Sequence, residues 1–289
     1  MSWTRMDRRW SVLTKEEVQM LADRSTREHY TQAMGWLKGE YAPENTGELY
    51  GKHITVLFDE ETILYGFWES NHLRWHDGKE WHEEYYEAVN APDENDMYFV
   101  QYYLHGSVPP SAHTLILDFS NGLVTLCRAQ IGVPASPVEV QRKFSFGIMG
   151  GYPDHDERHH FTEDLVGTAI EWTYTTHAQG NVSGKIKHIY SSPLYYTYEL
   201  VTKDQKTWMG ANPADYVKIN DHMYVFSFVE ERQTGSQGLF LINMNTLHDV
   251  GSFFSIGVYG LQCGVTGAVG RKVSPFGWEV CEERKSPKF

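Results

Sequence analysis

Residues 222–258, HMYVFSFVEERQTGSQGLFLINMNTLHDVGSFFSIGV, carry the pattern that marks this chain as a β-protein. Apolar and aromatic residues alternate with period two over Met223 to Val229, Leu239 to Met244 and Asp249 to Val258. Short runs of this kind, rich in aromatic and β-branched side chains, are typical of strands. Three strands are therefore expected to follow one another here, joined by short polar segments.

The same period recurs along most of the chain. Segments rich in Gly, Pro, Asn and Asp separate the runs, and these residues favour turns. Many short strands with turns between them predict an all-β barrel or sandwich. The further predicted strands are His53–Phe58, Ile63–Trp68, Met97–Leu104, His113–Phe119, Leu123–Gln130, Ala169–Thr175, Ile186–Tyr190 and Tyr195–Val201.

The two strand-rich halves of the sequence match each other in spacing. Met97 precedes Ile131 by 34 residues and Met223 precedes Ile256 by 33, which indicates an internal duplication. The matched landmarks are Gly51 with Gly167, Met97 with Met223, and Ile131 with Ile256. A unit of this length can close as a barrel of about eight strands, which is the size that holds one small ligand.

The sequence divides into five segments. Thr14 and Glu17 form a capping-box pattern, which predicts an amphipathic helix over about residues 15–34 within a helical cap at 1–48. The other predicted segments are a first barrel at 49–146, a linker at 147–163, a second barrel at 164–260 and a Gly-rich C-terminal tail at 261–289, which we expect to wrap an edge or close an end.

Composition and charge exclude several classes of protein. The net charge of −13 disfavours nucleic acid as a partner, and no apolar run is long enough for a membrane helix. Three scattered cysteines do not form a disulfide framework, so we expect a reduced, cytoplasmic protein. Aromatic residues make up 14% of the chain, which favours a pocket for an apolar or aromatic small molecule.

Segments of the second half resemble a known family. The stretches DLVGTAIEWTYTT (164–176), KHIYSSPLYYTYEL (187–200) and KTWMGANPADYVKIND (206–221) are similar to those of the molybdenum cofactor biosynthesis protein F (MoaF) family. The resemblance covers about 165–258 well and 49–133 more loosely. It implies two tandem lipocalin-like (calycin-type) antiparallel β-barrels, and the family name suggests an accessory role in molybdenum cofactor metabolism as one alternative function.

The second unit is also similar to the phenolic acid decarboxylases, which are single lipocalin-like barrels. Gly167 is followed by Trp172 and Tyr174, and Tyr224 is followed by Glu230, at the spacings of that family's catalytic residues. The resemblance implies that Tyr174 and Glu230 form an acid–base pair. The chain departs from the family where Trp172 replaces a tyrosine.

A second departure concerns the carboxylate-binding arginine of those enzymes, because Lys206 and Thr207 precede Trp208 instead. Decarboxylation of a cinnamic-type acid is therefore not expected. In the first unit the corresponding residues are Val56, Phe58 and Leu104, so that barrel is expected to be structural or a plain apolar pocket.

Glu230 has two interpretations. It continues the alternation of Tyr224, Phe226 and Phe228, which places it inside an aromatic barrel, where desolvation would raise its pKa toward the range of general acid–base catalysis. Alternatively, it faces solvent at a strand end. The residues expected to bind a substrate in this barrel are Trp172, His188, Tyr190, Tyr196, Tyr198, Trp208, Tyr224, Phe226 and Phe228.

Two histidine-rich segments contain metal-ligand residue types without a recognised spacing. Adjacent histidines such as His159 and His160 chelate a single ion poorly, and a solvated polar linker is the favoured interpretation of Asp154 to His160. His72, His76 and His82 lie in a predicted strand and do not form the spacing of a metalloprotease helix. We predict no metal site.

These observations predict a cofactor-free biosynthetic enzyme that binds an aromatic or polycyclic molecule in the second barrel. Glu230 and Tyr174 would catalyse acid–base chemistry there, as a cyclase, an isomerase or a lyase. The alternative from a different class is a non-catalytic carrier or sensor of small molecules. Whether the chain forms a homodimer stays open.

Overall fold

A computed structural model describes residues 14–23, 39–133, 136–153, 156–176, 182–201, 207–230, 235–257 and 260–275. In this part of the chain the fold is almost entirely β, with one α-helix, α1 (Lys15–Asp23), and one 3-10 turn (Glu69–Asn71). No helix among the described residues is both long and apolar enough to span a membrane.

The first unit is a closed antiparallel barrel in which consecutive strands are neighbours and β8 returns to pair with β1. This closure leaves no unpaired sheet edge. Its strands are β1 (His53–Phe58), β2 (Thr62–Trp68), β3 (His72–His76), β4 (Trp81–Asn90), β5 (Met97–Leu104), β6 (Ser111–Asp118), β7 (Leu123–Val133) and β8 (Ser136–Met149).

The second unit closes in the same way. Its first strand pairs with its last, and the third pairs with the fourth, which completes the ring. A two-residue strand, β9 (His160–Phe161), adds to the outside of the ring beside β13. The ring strands are β10 (Ala169–Thr176), β11 (Val182–Ser192), β12 (Tyr195–Val201), β13 (Thr207–Lys218), β14 (Met223–Val229), β15 (Ser236–Asn243), β16 (His248–Gly257) and β17 (Gly260–Lys272).

The two barrels have the same strand order, which confirms the predicted all-β fold of two tandem antiparallel barrels with an N-terminal helix. Met97 and Met223 each begin the fifth strand of their barrel, and Ile131 and Ile256 lie near the end of the seventh. Gly51 and Gly167, ahead of each first strand, adopt φ angles of +76° and +85°, which favour glycine.

The outer faces of the two barrels pack against each other through one continuous apolar cluster. Phe99 and Ile116 of the first barrel meet Val225, Leu241 and Val250 of the second in this cluster. One face of these strands lies inside a barrel and the other lies at the barrel interface. For this reason β5, β14 and β15 are buried almost throughout and read as continuous apolar runs in the sequence.

Polar contacts join the barrels around the apolar interface. The turn after β4 supplies Asp93 and Glu94, which pair with His248 at 2.9 Å and with His222 at 2.6 Å. On another side, the guanidinium of Arg142 lies 2.6 Å from the carboxylate of Asp215. Polar side-chain pairs therefore join the two barrels on two sides of the apolar interface.

The C-terminal boundary differs from the prediction. Residues 261–272, assigned to the tail, form most of β17, which pairs with both β10 and β16 and closes the second barrel. Glycines suggested a loop here because strand interiors disfavour them. In the barrel they allow close approach: a Cβ at Gly267 would lie 2.3 Å from the Tyr41 carbonyl oxygen, and one at Gly270 would lie 2.8 Å from the Trp172 ring.

The linker is also more ordered than the prediction of a solvated segment. β8 continues through Met149, and His159 is buried, with Thr125 Oγ1 2.8 Å from its Nδ1 atom. Asp154 and His155 lie outside the described residues, while Asp156 and His160 are exposed. The end of this segment therefore packs against the first barrel before the second begins.

The helix begins as its capping box predicts. The Thr14 amide donates to Glu17 Oε2 at 2.8 Å, and the Glu17 amide donates to Thr14 Oγ1 at 3.2 Å. Val18 and Ala22 bury one face of α1 against both barrels. Residues 24–34 of the predicted helix lie outside the described residues.

Leu241 lies in the centre of the interface and is completely buried. We expect Leu241→Ala to lower the free energy of unfolding by about 2–5 kcal/mol, because it removes buried apolar contacts and leaves a cavity. Leu64→Ala is the control, since Leu64 is 39% exposed on the outer wall of the first barrel, and should cost less than about 1 kcal/mol. Chemical denaturation measures both, and equal losses would contradict the packed interface.

Candidate functional site

The interior of the second barrel is lined by aromatic rings in mutual contact. The Tyr196 ring lies 4.8 Å from that of Phe226, and the rings of Phe228 and Phe240 stack at 6.1 Å with a 4° interplanar angle. Centroid separations in this range are those of favourable aromatic pairs. Such a wall suits a ligand that presents flat apolar faces.

The structure brings most of the predicted binding residues into this interior. Each of the following side chains is buried within the second barrel: Trp172, His188, Tyr190, Tyr196, Tyr198, Tyr224, Phe226 and Phe228. The backbone of Trp208 belongs to β13, but its side chain lies outside the described part of the structure, as does Lys206. The Tyr224 hydroxyl donates to Asp164 at 3.1 Å, at the end of the barrel.

Tyr174 pairs with a carboxylate that the sequence did not single out. Its hydroxyl donates to Asp249 Oδ2 at 3.2 Å. Asp249 is on β16, where its neighbour Val250 points outward into the barrel interface, so Asp249 points into the second barrel. The residue is 5% exposed, although it carries a carboxyl group.

Burial controls the ionisation of this carboxyl group. It raises the pKa of Asp249 to about 8, and hydrogen bonds from the Tyr174 hydroxyl and the Ala268 backbone offset only part of the effect. Near pH 7 the folded protein therefore favours the protonated form of this carboxyl group. Burial and the adjacent Asp249 also hold the pKa of Tyr174 well above its usual value, so that phenol keeps its proton.

Several buried polar atoms inside the second barrel have no hydrogen-bond partner within the described residues: Trp172 Nε1, His188 Nδ1, Tyr190 Oη and Asp249 Oδ1. Burial raises the pKa of Tyr190, and the nearby Trp172 N–H partly offsets this without the geometry of a hydrogen bond. Burial lowers the pKa of His188 to about 3, so its imidazole is neutral near pH 7. The interior therefore presents uncharged donors and acceptors.

Tyr174 and Phe253 are less buried than the aromatic rings around them, and their rings lie 6.2 Å and 5.5 Å from the ring of Phe240. The Tyr174 hydroxyl donates directly to Asp249.

Glu230 is held by a different side chain from the one that holds Asp249. Asn212 donates one hydrogen bond to Glu230 Oε1 at 3.0 Å and a second to the Tyr196 hydroxyl at 3.2 Å. Tyr174 donates to Asp249 instead. The pairing of Glu230 with Tyr174 stays a prediction, while the structure joins Tyr174 to Asp249.

The Asp249 site escaped sequence reasoning because its partner is 75 residues away. A single Asp after the polar segment Asn243 to His248 resembles a turn residue. One sequence feature could have indicated its inward position: Asp249 and Phe253 are four residues apart, so they lie on the same face of the strand. Only the position of β17 between β10 and β16 brings the Tyr174 and Asp249 strands within reach.

Metal-ligating residues do not converge in the described part of the chain, where no group of three or more His, Cys, Asp or Glu side chains could hold an ion. His159 is buried against Thr125 and His160 is exposed on β9. His82 stacks on Trp75 with ring centroids 4.2 Å apart, inside the first barrel.

Two family models cover both barrels. The model for the MoaF N-terminal domain matches residues 30–133, and the model for the MoaF C-terminal domain matches residues 159–274. The chain belongs to the MoaF family. The second match extends through β17, as the closed barrel requires, and the similarity to phenolic acid decarboxylases remains a resemblance only.

Curated proteins and solved structures give no further information on the function of this MoaF-family protein. No curated protein matches it. Among solved structures, it is similar to a protein with unknown function from the DUF3598 family of Nostoc punctiforme PCC 73102, with 10% sequence identity and a TM-score of 0.30 over 86% of this chain and 99% of that one. A similarity at this TM-score supports no conclusion about the fold or function of this chain.

The raised pKa of Asp249 makes stability depend on pH. The unfolded chain releases this proton near the usual value of 3.8, whereas the folded chain keeps it until about pH 8. The contribution of Asp249 to stability is therefore present below pH 4 and is lost as pH rises to 8, by at most about 1.4 kcal/mol per pH unit.

Asp249→Asn removes this titration and preserves the shape of the side chain. We expect the wild-type free energy of unfolding to fall more steeply than that of the variant between pH 4.5 and 8. Urea denaturation at several pH values measures the difference between the two proteins. Parallel curves over this interval would show that Asp249 has an ordinary pKa.

Proposed function

We propose that this protein binds an uncharged aromatic small molecule in its second barrel and catalyses proton transfer on it, with Asp249 as the general acid. The observation that carries the proposal is a buried carboxyl group, held by Tyr174, whose Oδ1 atom has no partner in the described protein. A carboxyl group with a pKa near the operating pH is suited to this role.

Binding would use the walls and the unpartnered donors of the barrel. The rings of Phe226, Phe228 and Phe240 offer faces for an aromatic ligand. The Trp172 N–H and the Tyr190 hydroxyl can donate to oxygen acceptors, which suits a ligand with carbonyl or hydroxyl groups. Because buried donors without partners are costly, such contacts would favour a ligand that carries these acceptors over a plain hydrocarbon.

In the proposed step, the O–H bond at Asp249 Oδ1 breaks and the proton moves to a ligand oxygen or carbon that gains electron density. The Tyr174 hydroxyl remains bonded to Oδ2 and stabilises the carboxylate that forms. A proton lost elsewhere from the ligand returns to Asp249. This balance fits isomerisation, cyclisation or elimination.

Glu230 supplies a competing assignment for the acid. It lies beside the buried pair Asn212 and Tyr196, so it could act on a ligand bound next to these residues. The Tyr174–Asp249 pair is favoured because both of its members are in contact and one of its carboxyl oxygens stays available. A non-catalytic alternative, such as a ligand carrier or an accessory protein of molybdenum cofactor metabolism, would need neither acid.

The test uses a metabolite extract of the source cells and three proteins: wild type, Asp249→Asn and Glu230→Gln. We expect wild type to convert one aromatic metabolite, Asp249→Asn to reduce its turnover about 10²–10⁴-fold, and Glu230→Gln to reduce it less than tenfold. Mass spectrometry of the extract and of the bound fraction measures conversion and binding. Affinity for the metabolite should change only a few-fold in both variants.

Two other results would change the assignment. Full activity of Asp249→Asn with an inactive Glu230→Gln would make Glu230 the acid. A metabolite that wild type binds but leaves unchanged would identify a carrier. Asp249→Ser serves as a control, because it removes the carboxyl group and part of the shape and should also be inactive if Asp249 is the acid.

A further inference from the structure

The first barrel differs from the second in where its polar side chains lie. Pairing registers align the two units: Tyr98 corresponds to Tyr224, and two strands further on Val124 corresponds to Asp249. The first barrel thus has an apolar residue at the position of the proposed acid. Its interior also contains Val56 and Phe58, as the sequence comparison predicts.

At three other interior positions the first barrel carries polar side chains that differ from the residues of the second barrel. Tyr86 occupies the position of Ala214 on the fourth strand, and Glu84 occupies that of Asn212. His113 lies where the second barrel has Gly238. The first barrel therefore carries its own polar set, built on different strands, and is not a plain apolar pocket.

The first barrel also contains buried donors without a partner, among them Trp75 and Tyr86. Trp75 is 6% exposed and Tyr86 is 2% exposed, and both lie in the interior cluster of the first barrel. Neither Trp75 Nε1 nor the Tyr86 hydroxyl has a hydrogen-bond partner among the residues that the structure describes. Buried polar groups are almost always hydrogen-bonded, so these two call for an acceptor inside the barrel.

Two polar side chains of the first barrel, His113 and Arg128, already have partners. The Tyr102 hydroxyl lies 3.0 Å from His113 Nδ1, and burial lowers the pKa of His113 to about 3. Arg128 pairs with Glu61 at 2.5 Å and donates to Ser145 at 3.0 Å. A charged ligand would find no available counter-charge among these residues.

We propose that the first barrel is a second small-molecule site, which binds an uncharged aromatic compound whose oxygen acceptor accepts a hydrogen bond from Trp75 or from Tyr86. Aromatic rings surround these donors: the ring of Trp75 lies 6.1 Å from that of Tyr102, and the ring of Tyr86 lies 5.3 Å from that of Phe67. The inference is independent of the function proposed for the second barrel, because no residue is shared.

The chemistry of the site specifies a suitable probe. 2-Acetonaphthone is uncharged, has two fused aromatic rings and carries one ketone acceptor. 2-Ethylnaphthalene has nearly the same shape and lacks the acceptor. Titration calorimetry with the complete chain gives both the number of binding events and their affinities.

We expect the ketone to bind at two sites per chain and more tightly than the hydrocarbon at both. Tyr86→Phe and Trp75→Phe each remove one donor and keep an aromatic ring, and at least one of them should weaken one of the two binding events about fivefold to tenfold. Tyr190→Phe is the matched variant in the second barrel, and it should weaken the other event. Circular dichroism establishes that the variants keep the wild-type fold.

The proposal is overturned if ketone binding in folded Tyr86→Phe and Trp75→Phe equals that of wild type. It is also overturned if the ketone and the hydrocarbon bind the first barrel equally well, because the donors would then make no contribution. A response to Tyr190→Phe alone would leave the second barrel as a binding site and the first as structural support.

Discussion

The packing of one barrel against the other is the constraint on which the rest of this protein depends. Strands such as β14 and β15 are buried on both faces, because their outer side chains meet the first barrel and their inner side chains fill the second. Apolar burial on the outer faces contributes most of the driving force for association. The inner faces can therefore carry polar groups whose burial is unfavourable.

Barrel closure determines which of those polar groups meet. β17 lies between β10 and β16, so Tyr174 and Asp249 face each other across one intervening strand. The surrounding low-dielectric interior keeps Asp249 protonated and His188 neutral near pH 7. The pairing of the last strand with the first therefore brings Tyr174 into contact with Asp249. It also encloses both residues in the low-dielectric interior that alters the ionisation of Asp249.

The chain contains two copies of this scaffold, and their interiors differ. Asp249 of the second barrel corresponds to Val124 in the first, whereas Tyr86 of the first corresponds to Ala214 in the second. The strand order, by contrast, is unchanged. Backbone pairing and the apolar interface maintain the fold, so interior side chains can change without loss of the barrel.

The sequence by itself determined the all-β class, the duplication and the aromatic interior of the second barrel. These properties are local or periodic: alternation defines a strand such as Met223–Val229, and spacing reveals the repeat. It also predicted the inward face of Phe226 and Phe228, and the capping box at Thr14.

Only the tertiary structure decided which distant residues became neighbours. It made β17 a strand of the second barrel, with its glycines against Tyr41 and Trp172, and it placed Asn212 beside Glu230. It paired Tyr174 with Asp249. The physical reason is that closure of the barrel sets the register between strands far apart in sequence, and no local pattern encodes that register.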